Sequence, residues 1–172
     1  MIILKILLLF IPWKIRRILL IKIFNFEIHS TASIGFSFIY PKTLIMKEFS
    51  SISHFNVAIN FEKIEIGPNS TISRSNWITG FPNHSNSLHF NHEINRNSFL
   101  IIGCHSAITK NHHLDCTNTI QIGNFVTVAG YQSQFLTHSV NIYNNRQESF
   151  PITISNYCFV GTNTTILGGS FL

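Results

Sequence analysis

"LIIGCHSAITKNHHLDCTNTIQIGNFVTVAG", Leu100 to Gly130, is the stretch on which the fold of this chain turns. Its aliphatic residues Ile102, Ile108, Leu114 and Ile120 recur every six positions, and Ile122 to Val128 restarts the same count. Six fits neither the turn of a helix, about 3.6 residues, nor the two-residue alternation of a lone strand. The period extends outward in both directions. Ile66, Ile72 and Ile78 carry it upstream, Ile154, Val160, Ile166 and Leu172 carry it downstream, and Ile28, Ile34 and Ile52 share it or a multiple of it. One phrase returns four times: Ile64-Glu-Ile66-Gly67, Leu100-Ile-Ile102-Gly103, Ile120-Gln-Ile122-Gly123 and Ile152-Thr-Ile154-Ser155.

A six-residue period is the spacing of a parallel β-helix built from hexapeptides, three of which close one triangular coil. Position one points inward and stacks on its equivalent in the next coil, about 4.8 Å along the ladder, so it is aliphatic. A small residue often follows where the chain turns, as at Gly35, Gly67, Gly103, Gly123 and Gly161. Position five is inward and cramped, which Ser70, Ser106, Val126, Cys158 and Thr164 suit. The count breaks over residues 40–51, 80–99 and 141–151, and is irregular near Ile120 and Gln134. The second break, rich in Asn, Ser and His, reads as an excursion from the coil.

With 172 residues, 45% hydrophobic and 11% charged, the chain suits one ordered domain rather than a disordered segment. Lys5, Lys14, Arg16, Arg17 and Lys22 account for the whole net charge of +5, and the rest of the chain balances. No nucleic-acid motif and no basic patch interleaved with aromatics is present, so no nucleic-acid partner is expected. Cys104, Cys116 and Cys158 form neither a disulfide framework nor a zinc ribbon, which suits a reducing compartment. Residues 1–24 are apolar but interrupted at Lys5, Pro12 and Lys14, too often to cross a bilayer. They predict an amphipathic helix after Pro12, with Trp13, Ile15, Ile18 and Leu19 on its apolar side. Such a helix either caps the end of the domain, residues 25–172, or lies on a membrane surface, and the two are compatible.

"NTIQIGNFVTVAG", "LTHSV" and "FPITISNYCFVGTNTTILGG" together resemble the hexapeptide-repeat, left-handed parallel β-helix acyltransferases, such as galactoside, maltose, nodulation-factor and polysaccharide-linked O-acetyltransferases. The resemblance is specific over residues 111–169 and looser from Ile28. It implies a left-handed coil, a homotrimer with its active sites between neighbouring coils, acetyl-CoA as donor and a sugar hydroxyl as acceptor; no metal is expected, because His112, His113, Asp115 and Cys116 have no second His/Cys cluster at structural-site spacing. With the cysteine usage, a cytoplasmic protein is expected, with contact to the inner face of the membrane through residues 1–24 as an added option. The family's catalytic histidine falls on His138, which follows Thr137 and stands fifteen residues beyond Gly123, and its acceptor-holding asparagine falls on Asn111. Ser155 and Phe159 depart from the pattern, and relatives continue with further coils beyond the position of Leu172 that help bind the donor.

Transfer of an acetyl group from a thioester to an alcohol needs a base at the hydroxyl, and imidazole suits that work. His138 is the expected base. Asn111 lies 27 residues before it, about one and a half coils, so the two are expected on different sides of one subunit and to meet across a subunit boundary. In "NHHLDC", Asn111 to Cys116, His113 and Asp115 bracket inward Leu114 and are further candidates for contact with substrate; Asp115 could instead orient a histidine. His112 falls at a nominal position five. Cys116 has no evident base to make it a nucleophile. Two other readings stay open: a non-catalytic β-helix that binds or assembles, and a sugar-amine N-acetyltransferase.

Overall fold

The computed structural model describes residues 2–83 and 89–172, and its body is a parallel β-helix of three six-stranded parallel sheets. The first face stacks Glu27–Ile28, Thr43–Met46, Lys63–Ile66, Phe99–Ile102, Ile120–Ile122 and Ile152–Ile154. The second stacks Ser33–Ile34, Ser51–Ile52, Thr71–Ile72, Ala107–Ile108, Thr127–Val128 and Phe159–Val160. The third stacks Phe38–Tyr40, Val57–Ile59, Trp77–Thr79, His113–Asp115, Gln134–Leu136 and Thr165–Leu167. Each strand but the first and last of a sheet pairs with the strand one coil earlier and one coil later, so every coil is one rung of three ladders.

The inward residues form the core. On the third face Ile78, Leu114 and Phe135 are in register and fully buried. The returning Ile-x-Ile phrase has a physical reason: both aliphatics point inward on the first face, so Ile64, Leu100, Ile120 and Ile152 are buried along with Ile66, Ile102, Ile122 and Ile154. The corner before that face therefore takes extra residues, and the coils are mostly longer than three hexapeptides. Phe135, not Gln134, is the inward residue of its rung, because one residue is added at the corner before it. Ser70, Ser106 and Val126 are buried as position five requires, whereas Cys158 and Thr164, in the last coil, are partly exposed.

Residues 40–51 do not leave the coil: Thr43–Met46 pairs in register with Lys63–Ile66. Two segments do leave it, between Thr79 and Phe99 and between Leu136 and Ile152, and both depart from the corner between the third and first faces. Residues 84–88 of the first excursion lie outside the described residues. The second begins earlier than the sequence period shows, with an antiparallel hairpin of His138–Asn141 and Arg146–Ser149.

The other two corners turn through left-handed backbone. Phe55, Ser75, Asn111, Gln132 and Asn163 share a positive φ between the second and third faces. That conformation costs roughly 1–2 kcal/mol for a residue with a Cβ. It is offset by a bond from each of these N–H groups to a carbonyl of the preceding coil, as from Asn111 to Arg74. Inside the same corner runs a buried polar ladder. Asn56 Oδ1 accepts the N–H of Asn76, Asn76 Oδ1 accepts that of His112, and His112 Nδ1 accepts that of Ser133.

The N-terminal region is two helices rather than one, Ile2–Leu7 and Trp13–Phe24, joined by a 3-10 turn at Leu8–Phe10. The second helix packs Leu20 and Leu19 against the first coil, and the Trp13 indole donates to Ala32 O. Buried Arg16 donates to the carbonyls of Gly35 and Ser37 at the start of the polar corner. The helix thus caps the coil. Its apolar residues divide between two sides: Trp13 and Leu19 face the coil, while Ile15 and Ile18 are exposed.

Candidate functional site

Asp115 ends its strand on the third face, outward beside buried Leu114, and would be expected in solvent. It is only 5% exposed, because the chain one coil later folds back over it. Asp115 is in register with Leu136, so Thr137 and His138 leave the ladder directly above it. The His138 Nδ1 lies 2.6 Å from Asp115 Oδ2, and the same oxygen accepts the N–H groups of Thr137 and His138 at 3.1 and 3.2 Å. Oδ1 accepts the N–H and hydroxyl of Thr117 at 3.1 and 2.6 Å. Thr137, itself buried, donates its hydroxyl to Asp115 O and accepts the N–H of Asn118.

This arrangement sets the charge on both partners. Burial alone pushes the Asp115 carboxyl up, but hydrogen bonds from His138 and Thr117 and the attraction of the imidazolium outweigh it and hold the group down at about 2. The Asp115 hydrogen bond raises the His138 pKa above its usual value, partly opposed by burial. Asp115 thereby fixes the tautomer: with Nδ1–H donated to the carboxylate, neutral His138 presents an unprotonated Nε2. No hydrogen bond to Nε2 is formed among the described residues. The side chain is 43% exposed, and its ring stands perpendicular to that of Phe90 with the centroids 6.2 Å apart.

The two excursions hold each other around this pair. Arg96 donates to the carbonyls of Phe81, Pro82 and Thr117 and lies over the rings of Phe81 and Phe90. Glu93 accepts the N–H and the hydroxyl of Ser149, the residue opposite His138 in the hairpin. Asn118 also donates to the Ser149 hydroxyl. Between excursion and hairpin opens a groove of 640 Å³ with a polar lining that includes Asn97, Asn118, Arg146 and Glu148.

The candidates read from the sequence fall at two corners. Asp115 and His138 meet; Asn111 sits at the far corner as one of the left-handed turn residues, on a different side of the coil from His138. His113 shares the outward side of the strand with Asp115 and is half-buried beside Trp77 and Gln134. His112 belongs to the polar ladder: its Nδ1 accepts from Ser133, so Nε2–H faces the Thr109 hydroxyl, and burial lowers its pKa. Cys116 is fully buried, which pushes its thiol well above the usual range and removes it as a nucleophile. Among the described residues, no three His, Cys, Asp or Glu side chains converge as a metal site would require.

Phe90, Glu93, Arg96, Thr117 and Ser149 complete the surroundings of His138 without having been singled out in the sequence. Arg96 carried a signal: it is the sole Lys or Arg between Arg74 and Lys110, set in a polar loop with Phe81 and Phe90. Compared with protein-family models, curated proteins and solved structures, the chain has no significant match to any.

Proposed function

We propose that the chain is an O-acetyltransferase that moves an acetyl group from acetyl-CoA to a sugar hydroxyl of a polysaccharide or other cell-surface glycan precursor. The observation that carries this reading is the His138–Asp115 pair, with Nδ1 tied to a buried carboxylate and Nε2 open to the surface. His138 Nε2 takes the proton of the acceptor hydroxyl as its oxygen attacks the thioester carbonyl carbon. Asp115 stabilises the imidazolium that forms, and His138 returns the proton to the departing thiolate, so the products are an acetyl ester and free CoA thiol. The polar groove between the excursions suits a ligand rich in hydroxyl groups.

The left-handed coil and the homotrimer belong to the same proposal and rest on the resemblance in residues 111–169, and the cytoplasmic location rests on the cysteine usage. In a trimer, Asn111 at one corner would face His138 of a neighbour and help hold the acceptor or the oxyanion, with His113 near the acceptor. The test is release of thiol from acetyl-CoA with a panel of sugars and amino sugars, which also separates hydroxyl from amine acceptors. His138→Ala is expected to lower turnover by a factor on the order of 10²–10⁴ with the far-UV spectrum unchanged. Unchanged turnover removes His138 from the mechanism, and absence of donor binding by calorimetry favours a binding or assembly module.

A further inference from the structure

The N-terminal cap has an outer side that the coil does not use. Sealing the first coil occupies Leu8, Arg16 and Leu20, which are buried, while the helix Ile2–Leu7 buries none of its residues. Ile3 and Phe10 are 71% and 73% exposed, and Leu7, Ile15 and Ile18 are at least half exposed. The segment is pinned across the end of the prism. The Tyr40 hydroxyl donates to Lys5 O on one side, and Phe10 meets Phe36 edge to face on the other. Ile3, Leu7, Ile15 and Ile18 are open to solvent, and Phe10 leaves most of its ring open beside Phe36.

Charge distinguishes among the occupants of this surface. Lys14, Ile15, Ile18 and Lys22 lie on one stripe of the helix Trp13–Phe24, and all four are exposed. The first carboxylate of the chain is Glu27, so a second copy docked through the same face would set lysine against lysine with no acid to pair them. An apolar stripe flanked by lysines complements a surface that is apolar below and anionic above. No helix among the described residues is long and apolar enough to cross a membrane.

We infer that the outer face of residues 2–24 docks the protein on the surface of an anionic bilayer, with Ile3, Leu7, Phe10, Ile15 and Ile18 entering the headgroup boundary and Lys14 and Lys22 meeting lipid phosphates. The coil then rises from the membrane. His138, between the fifth and sixth rungs, stands at least four rungs, ~19 Å, above the cap, a distance suited to a glycan borne by a membrane lipid. Docking itself does not depend on the acetyltransfer reading.

Co-sedimentation of the full chain with vesicles of phosphatidylcholine, and with equal parts phosphatidylcholine and phosphatidylglycerol, tests the inference. The expected result is binding to the mixed vesicles, weakened by high salt, and at least tenfold weaker binding to phosphatidylcholine alone. Ile15→Glu with Ile18→Glu is expected to abolish binding, and Lys14→Gln or Lys22→Gln to weaken it about fivefold each. All four side chains are exposed, so denaturation midpoints and thiol release with soluble sugars should be unchanged. Failure of the wild-type chain to sediment with mixed vesicles overturns the inference, as does wild-type sedimentation by the double isoleucine variant. A lipid-free assembly dispersed by the isoleucine substitutions but not by His138→Ala would make a second copy the occupant, and also overturns it.

Discussion

Asp115→Asn separates the chemistry of the pair from its packing. In the native protein six donors converge on the carboxylate, four on Oδ2, including the Thr137 hydroxyl it shares with Asp115 O, and two on Oδ1. Asparagine has one oxygen, so its amide nitrogen must face either the His138 and Thr137 donors or the two of Thr117, at about 1–3 kcal/mol for buried donors without a partner. The charge is another measure of the same network: a carboxyl held at about 2 instead of 3.8 records about 2 kcal/mol, much of it from these hydrogen bonds. Because that pKa is depressed, the contribution is present above pH 3.8 or so and lost as pH falls toward 2. The His138 pKa is raised, so its share is complete below 6.5 and lost as pH rises through the folded-state value. The variant should therefore be less stable by about 2–3 kcal/mol at pH 6 and by less at pH 9, read by urea denaturation at both. If the amide nitrogen faces the ring, Nδ1 becomes an acceptor and Nε2 carries the proton, so the base is blocked and turnover falls on the order of 10²–10⁴. If the oxygen faces the ring, the rising limb of the pH–rate profile moves to lower pH. A variant with native stability at both pH values and a native pH–rate profile would refute the reasoning.

Gly103→Ala would place a Cβ 2.6 Å from the Gly123 carbonyl oxygen of the next coil, and is expected to cost roughly 1–3 kcal/mol in denaturation experiments. Asn111→Gly should keep or raise stability because the position has φ 55°, whereas Asn111→Val should lose about 1–2 kcal/mol. If the side chain serves the acceptor, Asn111→Gly will fold normally and still raise the KM for sugar. A thiol-reactive dye should label Cys104 and Cys158 in the native protein and Cys116 only after denaturation, checked by peptide mass mapping. Glu93→Ala removes the acceptor of both Ser149 donors and should slow turnover while leaving the denaturation midpoint of the coil within about 1 kcal/mol, since the contact joins two excursions rather than two rungs.

The sixfold spacing of Ile102, Ile108 and Leu114 made the coil legible, because an inward aliphatic is needed wherever a rung stacks on a rung. It misread the chain wherever a corner changed length. Phe135 displaced Gln134 from the core through one added corner residue, and residues 40–51 stayed in the coil because Thr43–Met46 keeps its ladder despite the shifted count. Asp115 and His138 were each visible, yet their contact was hidden behind the same arithmetic. The residue above Asp115 is Leu136, 21 positions on, and only that coil length reveals that His138 follows it by two. The docking of the excursions was less legible. Glu93 and Ser149 are 56 residues apart and joined by side-chain contacts that no periodicity records.

The division of labour in this structure follows from where a β-helix tolerates change. A residue in a ladder is held from both neighbouring rungs, about 4.8 Å away on each side, so its position survives loop variation. Asp115 is such a residue, and Thr137 donates to it from the next rung. His138 is one residue further and inherits that placement through its own N–H bond to Oδ2. The groove is lined mostly by residues of the excursions, which lie outside the three ladders of the coil, together with Asn118 and Thr119 of the coil corner; it reaches Ser149, the hairpin partner of His138, and not His138 itself. Charge and orientation of the imidazole are thus set by the coil; in the proposed reaction, selection of the acceptor would fall to chain that leaves it. The two properties are expected to respond to different substitutions: Asp115 on its rung should change the pH dependence of any turnover, and groove residues away from the His138 hairpin contact, such as Asn97, the affinity for the acceptor.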